Sequence, residues 1–236
     1  MPSEPDSGSI PPAQVPEAHP FAAIQTAPGD PTPLPLGLIP GRRVRPNGAS
    51  SPMSPSTDYE IRKLSEGDSL EELTRVIHRA YARLGAMGLN FTAVDQPVEV
   101  TKQRVRRGVC FIAVLADQLI GTITVQPPEP DSECGHFRQP HVASARQFAV
   151  CPAFQGIGLG GALLAAAETW AARRGYSEIA IDTAEPARHL VDLYSRRGFR
   201  EVGWVRWPGK TYRSVVMSKA LEPGAVDAEP SKLESP

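Results

Sequence analysis

The run Gln155-Gly156-Ile157-Gly158-Leu159-Gly160-Gly161 places four glycines within six residues, just ahead of an Ala/Leu-rich segment starting at Ala162. A glycine-rich turn that opens a helix aims several backbone N–H groups one way, with the positive helix end behind them. Such a surface binds phosphate. Letter for letter, Gly156-x-Gly158-x-x-Gly161 also matches the dinucleotide fingerprint, with Asp182 about 20 residues further on. In a dinucleotide fold, however, the glycines follow their strand directly. Here Cys151-Pro152-Ala153-Phe154-Gln155 intervene after the apolar Phe148-Ala149-Val150. A Walker loop is excluded as well, because Gly160-Gly161-Ala162 stands where Gly-Lys-Ser/Thr is required.

The loop needs a strand before it and a helix behind it. Residues 143–150 supply the strand, and the helix runs on to Arg174, with Gly175 at C′ and Arg173 and Arg174 in its last turn. Glu178-Ile179-Ala180-Ile181-Asp182 is a short buried strand, made parallel to 143–150 by the strand–helix–strand order. Upstream, residues 59–64 alternate as a first strand. Ser69 and Glu72 are spaced as a capping box, opening an amphipathic helix whose inner face is Leu70, Leu73, Ile77, Ala80, Tyr81 and Leu84. Gly85 and Gly88 interrupt that helix, and 87–91 reads as a loop over a pocket. A second helix is expected from Asp95, its N-cap, to Arg107, closed by Gly108. Its basic end, Lys102, Arg104, Arg106 and Arg107, reads first as a solvated, dipole-compensating face and second as a site for an acidic ligand.

Residues 110–115 and 119–125 flank Ala116-Asp117-Gln118 as a hairpin, and a long Pro/Asp/Glu-rich loop at 126–141 has the length of a functional loop. Pro186 suits the first turn of another helix, ending at Arg196-Arg197 with Gly198 at C′. Residues 199–205 and 212–218 form a closing hairpin through Trp207-Pro208-Gly209-Lys210. The fold class is therefore α/β (α+β). It has a mixed, mostly antiparallel sheet of about six to seven strands, about four helices and one parallel βαβ unit.

More than half of the 25 prolines fall in the first fifty-five or so residues, where no apolar periodicity survives. Residues 1–56 read as a disordered Pro-rich segment, 57–220 as one domain and 221–236 as a disordered tail. The N-terminal stretch lacks the charged and apolar regions of a signal peptide, and Met53 is an alternative start. Three cysteines, Cys110, Cys134 and Cys151, are odd in number and lack metal-ligand spacing, which suits a reducing cytoplasm and no bound metal. A formal net charge of −1 offers nucleic acid no general attraction, and no apolar run approaches bilayer length.

The central stretch resembles the acyl-CoA-binding motif of the GNAT superfamily of N-acyltransferases. That motif is an apolar strand ending in Val, then x-Pro, then Gln/Arg-x-x-Gly-x-Gly/Ala, and here it is carried by Phe148-Ala149-Val150, Pro152 and Gln155 to Gly160. Leu193-Tyr194-Ser195-Arg196-Arg197-Gly198-Phe199 resembles a second family motif, Leu-Tyr-x-x-x-Gly-Phe. An Asn that many members carry shortly before the tyrosine is replaced by the region of Ala187 and Arg188.

The resemblance implies acetyl-CoA as acyl donor, its pyrophosphate on the amides of Gln155, Gly156, Ile157, Gly158, Leu159, Gly160 and Gly161. It implies that the strand carrying Phe148, Ala149 and Val150 diverges from its parallel neighbour to admit the pantetheine arm, with the Val150 amide polarising the thioester carbonyl. Tyr194 is then the candidate acid for the leaving thiolate, since a phenol with pKa near ~10 matches a thiolate of similar basicity. The strand carries Ser144, Arg146 and Gln147 where many members place a glutamate, which leaves His136, His141, Glu133 and Asp182 as base candidates. Transfer of an acetyl group to a primary amine of a small molecule or peptide is the first functional reading. A catalytically weak acyl-CoA-binding sensor or scaffold is the second, and homodimers are known for the fold. The acceptor region is framed by the first two helices, the loops at 85–91 and 126–141 with Asp131 and Glu133, and the last hairpin with Trp204 and Trp207.

Overall fold

The structure, a computed structural model, describes residues 59–223. Of the segments expected to be disordered, 1–56 and the 224–236 part of 221–236 lie outside the described residues, while Leu221 is tied to the fold by its N–H, which donates to the Ser177 carbonyl. Among the described residues the order of elements is β1 (Glu60–Lys63), α1 (Leu70–Ala86), α2 (Val98–Arg106), β2 (Val109–Leu115), β3 (Gln118–Gln126), β4 (Val142–Val150), α3 (Leu159–Arg173), β5 (Glu178–Ala184), α4 (Arg188–Ser195), β6 (Arg200–Val205) and β7 (Ser214–Ala220). The seven strands form one sheet in the order β1-β2-β3-β4-β5-β7-β6. Every neighbouring pair is antiparallel except β4 and β5. This is the mixed sheet with one parallel crossover that the element order implies.

Helix boundaries follow local chemistry. The Ser69 hydroxyl caps α1 by accepting from the Glu72 N–H at 3.1 Å. The Glu72 carboxylate does not reach back to complete the box; it accepts from the Leu119 N–H at 3.3 Å and ties the helix to the β2–β3 hairpin. Helix α1 continues through Gly85 and stops at Met87, where Gly88 turns left-handed at φ +79°. Helix α2 starts at Val98 rather than after Asp95, because Pro97 bars Gln96 from helical backbone geometry and itself becomes the cap. Pro186 likewise lies ahead of α4, which starts at Arg188. The β2–β3 turn uses Ala116 and Asp117 at φ 46° and 65°, the geometry of a two-residue type I′ hairpin.

Helices cover both faces of the sheet. On one face Leu159, Leu163, Leu164, Ala167 and Ala171 of α3, with Val191 and Tyr194 of α4, pack on Ile123, Val125, Ile179 and Ile181. On the other, Leu73, Val76 and Ile77 of α1 pack on Cys110, Ile112 and Ala149. Each fully buried Leu or Ile contributes roughly 1.5–3 kcal/mol of transfer free energy.

The feature that positions the site is where this sheet fails to close. Strands β4 and β5 pair only at Val142↔Glu178, Ala143↔Ile179 and Ser144↔Ala180. Beyond Ser144, β5 stays with β7 through Ala184↔Ser214, while β4 stays with β3 up to Gly121↔Val150. A bulge bends β4 at the point of divergence: Gln147 and Phe148 face the single residue Ile123, and Gln147 is left-handed at φ 50°. The two strands splay into a V.

Candidate active site

The open edge of β4 presents its backbone to the V. The Cys151 N–H donates to the Ile120 carbonyl at 2.8 Å, so strand alternation turns the N–H and C=O of Val150 away from β3 and into the gap. The Val150 carbonyl accepts from Gln155 Nε2 at 3.1 Å. The Phe148 carbonyl accepts from the Tyr81 hydroxyl at 3.1 Å. That leaves the Val150 N–H without an acceptor among the described residues. Ala149 lies in the β3 ladder opposite Thr122, its side chain in the core.

After β4 the chain makes a short 3-10 turn at Pro152–Phe154, and the Gln155 N–H closes it on the Pro152 carbonyl at 3.3 Å. Gly156 and Gly158 then take φ 82° and 90°, a backbone region that favours glycine. The first hydrogen bond of α3 runs from the Ala162 N–H to the Gly158 carbonyl at 3.1 Å. The N–H groups of Gly156, Ile157, Gly158, Leu159, Gly160 and Gly161 therefore meet no acceptor among the described residues. Six consecutive unmet amides at a helix N-terminus fit a diphosphate, whose charge the helix dipole also favours. The side chain of Leu159 is buried in the core and that of Ile157 is exposed.

From the V a cleft of about 320 Å³ extends between α1, α2, β4, β5 and the β6–β7 loop. Tyr194 stands in its wall, 5 % exposed, with its ring against Phe148 at 6.4 Å and Phe199 at 5.9 Å between centroids. Its hydroxyl makes no hydrogen bond among the described residues. Burial, reinforced by Tyr81 and Asp182 nearby, pushes its pKa well above the usual 10, so the phenol stays protonated but is a weaker acid than the match to a thiolate of pKa ~10 assumes. Burial also pushes Tyr81 up to about 12.

On the floor, Asp182 accepts from Arg146 at 2.6 Å and, through its other oxygen, from the Trp207 indole at 2.8 Å. Arg146 also reaches Glu129 at 3.4 Å, and its guanidinium lies 4.1 Å from the Phe137 ring centroid. Along one wall, Asn90 straps the loop after α1 to the β6–β7 loop. Its amide donates to the Gly209 carbonyl at 2.8 Å, and its oxygen accepts from the N–H and hydroxyl of Thr211 at 3.0 and 3.1 Å.

Of the base candidates, only Asp182 lines the cleft, and both of its oxygens are engaged. His136 and His141 instead face Glu178 at the closed end of the V, at 3.3 and 3.8 Å. Glu133 is exposed outside the cleft, and Trp204, 54 % exposed, lies under Arg213 on the outer strand β6. Asp131 lines a separate groove beside Arg107. Sequence reasoning did not single out Gln147, Glu129 or Lys210 as lining residues, and it held Arg104 mainly for a solvated charge. The clustering of Arg104 with other cations on α2 was the one available signal.

Solved structures share this fold at low sequence identity. The PH1933 protein of Pyrococcus horikoshii OT3 superposes with a TM-score of 0.55 at 23% identity, over 70% of this chain and 99% of that one. The ribosomal-protein-S18-alanine N-acetyltransferase of Escherichia coli gives 0.53 at 17%, over 73% and 97%. Ard1 of Thermoplasma volcanium gives 0.54 at 14%, over 70% and 98%. No curated protein matches the chain in sequence. The sequence model of the acetyltransferase (GNAT) family matches residues 73–199, more than half of the chain. That span runs from the first turn of α1 to the start of β6, and so contains the V, the glycine loop and Tyr194. The chain belongs to the GNAT acetyltransferase family.

Proposed function

We propose that this chain is an N-acetyltransferase that takes the acetyl group of acetyl-CoA and gives it to a primary amine by direct attack. Family membership supports acyl transfer from an acyl-CoA. The observation that carries the finer reading is a set of unmet donors: six amides at Gly156–Gly161, the Val150 N–H turned away from β3, and the hydroxyl of Tyr194 in the cleft wall.

Acetyl-CoA, when bound, supplies an activated acyl group on a good leaving thiolate. The amides of Gly156 to Gly161 hold its diphosphate, and the Val150 N–H donates to the thioester carbonyl, where charge develops during attack. Tyr194 donates its proton to the departing sulfur. The new C–N bond forms as the C–S bond breaks; the amine gives up one proton and the thiolate gains one. The cleft offers no unengaged carboxylate as base. Its cations, Arg104, Arg107 and Lys210, instead disfavour an ammonium ion and help the amine shed its proton to water.

The test is a thiol-release assay with acetyl-CoA across a panel of amines, run beside calorimetric titration of acetyl-CoA. Turnover with at least one amine is expected. Tyr194→Phe is expected to lower kcat by about 10²-fold or more while leaving acetyl-CoA affinity nearly unchanged. Tight acetyl-CoA binding without turnover on any amine would sink the enzyme reading in favour of an acyl-CoA-binding module. An unchanged kcat in the variant would remove Tyr194 from the mechanism.

A further inference from the structure

The cleft beside Tyr194 is charged in a way that acyl transfer alone does not require. Four cations line it, Arg104, Arg107, Arg146 and Lys210, against two carboxylates, Glu129 and Asp182. Both carboxylates are held by Arg146, at 3.4 and 2.6 Å. Arg104 is left with a neutral partner, the Gln96 side-chain oxygen at 3.2 Å, and Lys210 with another, the Asn90 carbonyl at 2.7 Å. Neither has a carboxylate in ion-pair range among the described residues.

Each also has another cation opposing it. Burial and then Arg146 draw the Arg104 pKa down, while burial and then Arg104 draw Lys210 down. Asp182 and Glu129 offset this for Arg104, and Asp95 and Asp182 for Lys210, but only from beyond ion-pair range. Half-buried positive charges set among other cations are costly, and an anion between them relieves the repulsion. Gln147 adds a neutral donor. It is 5 % exposed, it lines the same cleft, and its Nε2 has no hydrogen-bond partner. Its left-handed backbone at φ 50° is a costly conformation, maintained by the bulge that opens the V. The coenzyme diphosphate does not account for these groups, because none of Gly156–Gly161 lines this cleft.

We propose that the acceptor is a small amine bearing a carboxylate, and that Arg104 and Lys210 bind that carboxylate with Gln147 Nε2 as an added donor. The inference rests on the N-acetyltransferase reading and narrows its substrate class. A cleft of about 320 Å³ that also holds the reacting end of the donor keeps the amine and its anion within a few bonds of each other. Free α- and ω-amino acids meet that condition, whereas the chain terminus of a folded protein does not.

The test uses the full chain with saturating acetyl-CoA and amines in matched sets: glycine, alanine, β-alanine and glutamate, their carboxamides, and aminomethylphosphonate as a second anion. Carboxylates are expected to exceed their carboxamides in kcat/KM by about tenfold or more. Arg104→Gln and Lys210→Gln are each expected to raise KM for the carboxylate by a similar factor and to shrink the carboxylate-to-carboxamide ratio toward one. Both variants keep the wild-type acetyl-CoA Kd, which also shows that they fold, and Arg104→Lys recovers part of the ratio. Carboxamides used as well as carboxylates, a tenfold preference for the phosphonate, or a ratio unmoved in both variants would each overturn the proposal while leaving the N-acetyltransferase reading intact. If no amine turns over, that reading falls. Calorimetry of the same amino acids against the protein with CoA then decides the site: binding lost in Arg104→Gln supports it, and no binding overturns it.

Discussion

Gly158 and Gly161 stand three residues apart across the start of α3 and answer to different constraints. Gly158 sits at φ 90° with open space where a Cβ would go, so only its backbone conformation demands glycine. Gly161 is helical, and a Cβ there would come within 2.1 Å of the Arg197 guanidinium, the far end of a flexible side chain that can swing away. Gly158→Ala is therefore expected to destabilise by about 1–2 kcal/mol and to weaken acetyl-CoA markedly, because the strained residue must drag its neighbouring amides out of line. Gly161→Ala is expected to change stability by less than about 1 kcal/mol and to retain acetyl-CoA binding. Thermal melts and titration calorimetry on both variants read this contrast, and the reverse order would show that the loop is held by packing. At this scale the sequence was legible where a motif demanded a residue type. Gly156 and Gly158 take the left-handed backbone that favours glycine, and Tyr194 falls within α4. Gln147 was not legible, because its left-handed conformation belongs to a bulge, and a bulge depends on how β3 and β4 align. The pairing of Asp182 with Arg146 and Trp207 was hidden for the same reason, since these residues meet only across separate elements.

Among the elements, periodicity and punctuation carried most of the reading. Strands and helices appear in the expected order, and the main error at a helix start, Asp95 for Val98, came from passing over Pro97. What periodicity cannot express is separation between neighbours. The V between β4 and β5 follows from three residues of ladder pairing and then none, a property of two strands that prefer other partners. The strap across the cleft is likewise a contact between distant loops, residues 90 and 209 to 211, made by one asparagine side chain. Cutting it should loosen both loops together. Asn90→Ala removes three side-chain hydrogen bonds, each worth roughly 0.5–1.5 kcal/mol, at an exposed site. We expect KM for the acceptor to rise several-fold and amide exchange at 88–91 and 209–211 to quicken, with acetyl-CoA affinity unchanged, since the diphosphate amides lie on another loop. Loss of acetyl-CoA affinity instead would mean that the strap supports the whole V and not only its acceptor side.

For the molecule as a whole, the question is how much chain the chemistry needs. All described residues, 59–223, belong to one compact unit spanning 53–236. Within that unit the hydrophobic clusters draw on residues from Tyr59, packed beside the main core, to Leu221, whose N–H donates to the Ser177 carbonyl at 2.8 Å. Every group placed in the proposed reaction lies between those limits. A protein spanning 53–236 is therefore expected to melt within about 2 °C of the full chain, since a change below about 0.5 kcal/mol shifts a domain of this size by no more than that. It should also gain the same thermal stabilisation from acetyl-CoA, near 2.7 kcal/mol at a hundredfold excess over Kd. Acceptor kinetics is the more searching measurement. Unchanged kcat/KM for the amine means that the domain alone forms both halves of the site. A raised KM with the same acetyl-CoA stabilisation would assign the N-terminal segment to acceptor capture, because the donor half would then be demonstrably intact. A lowered melting temperature would place part of the fold's support in residues 1–52, against the self-contained packing seen from Tyr59 to Leu221.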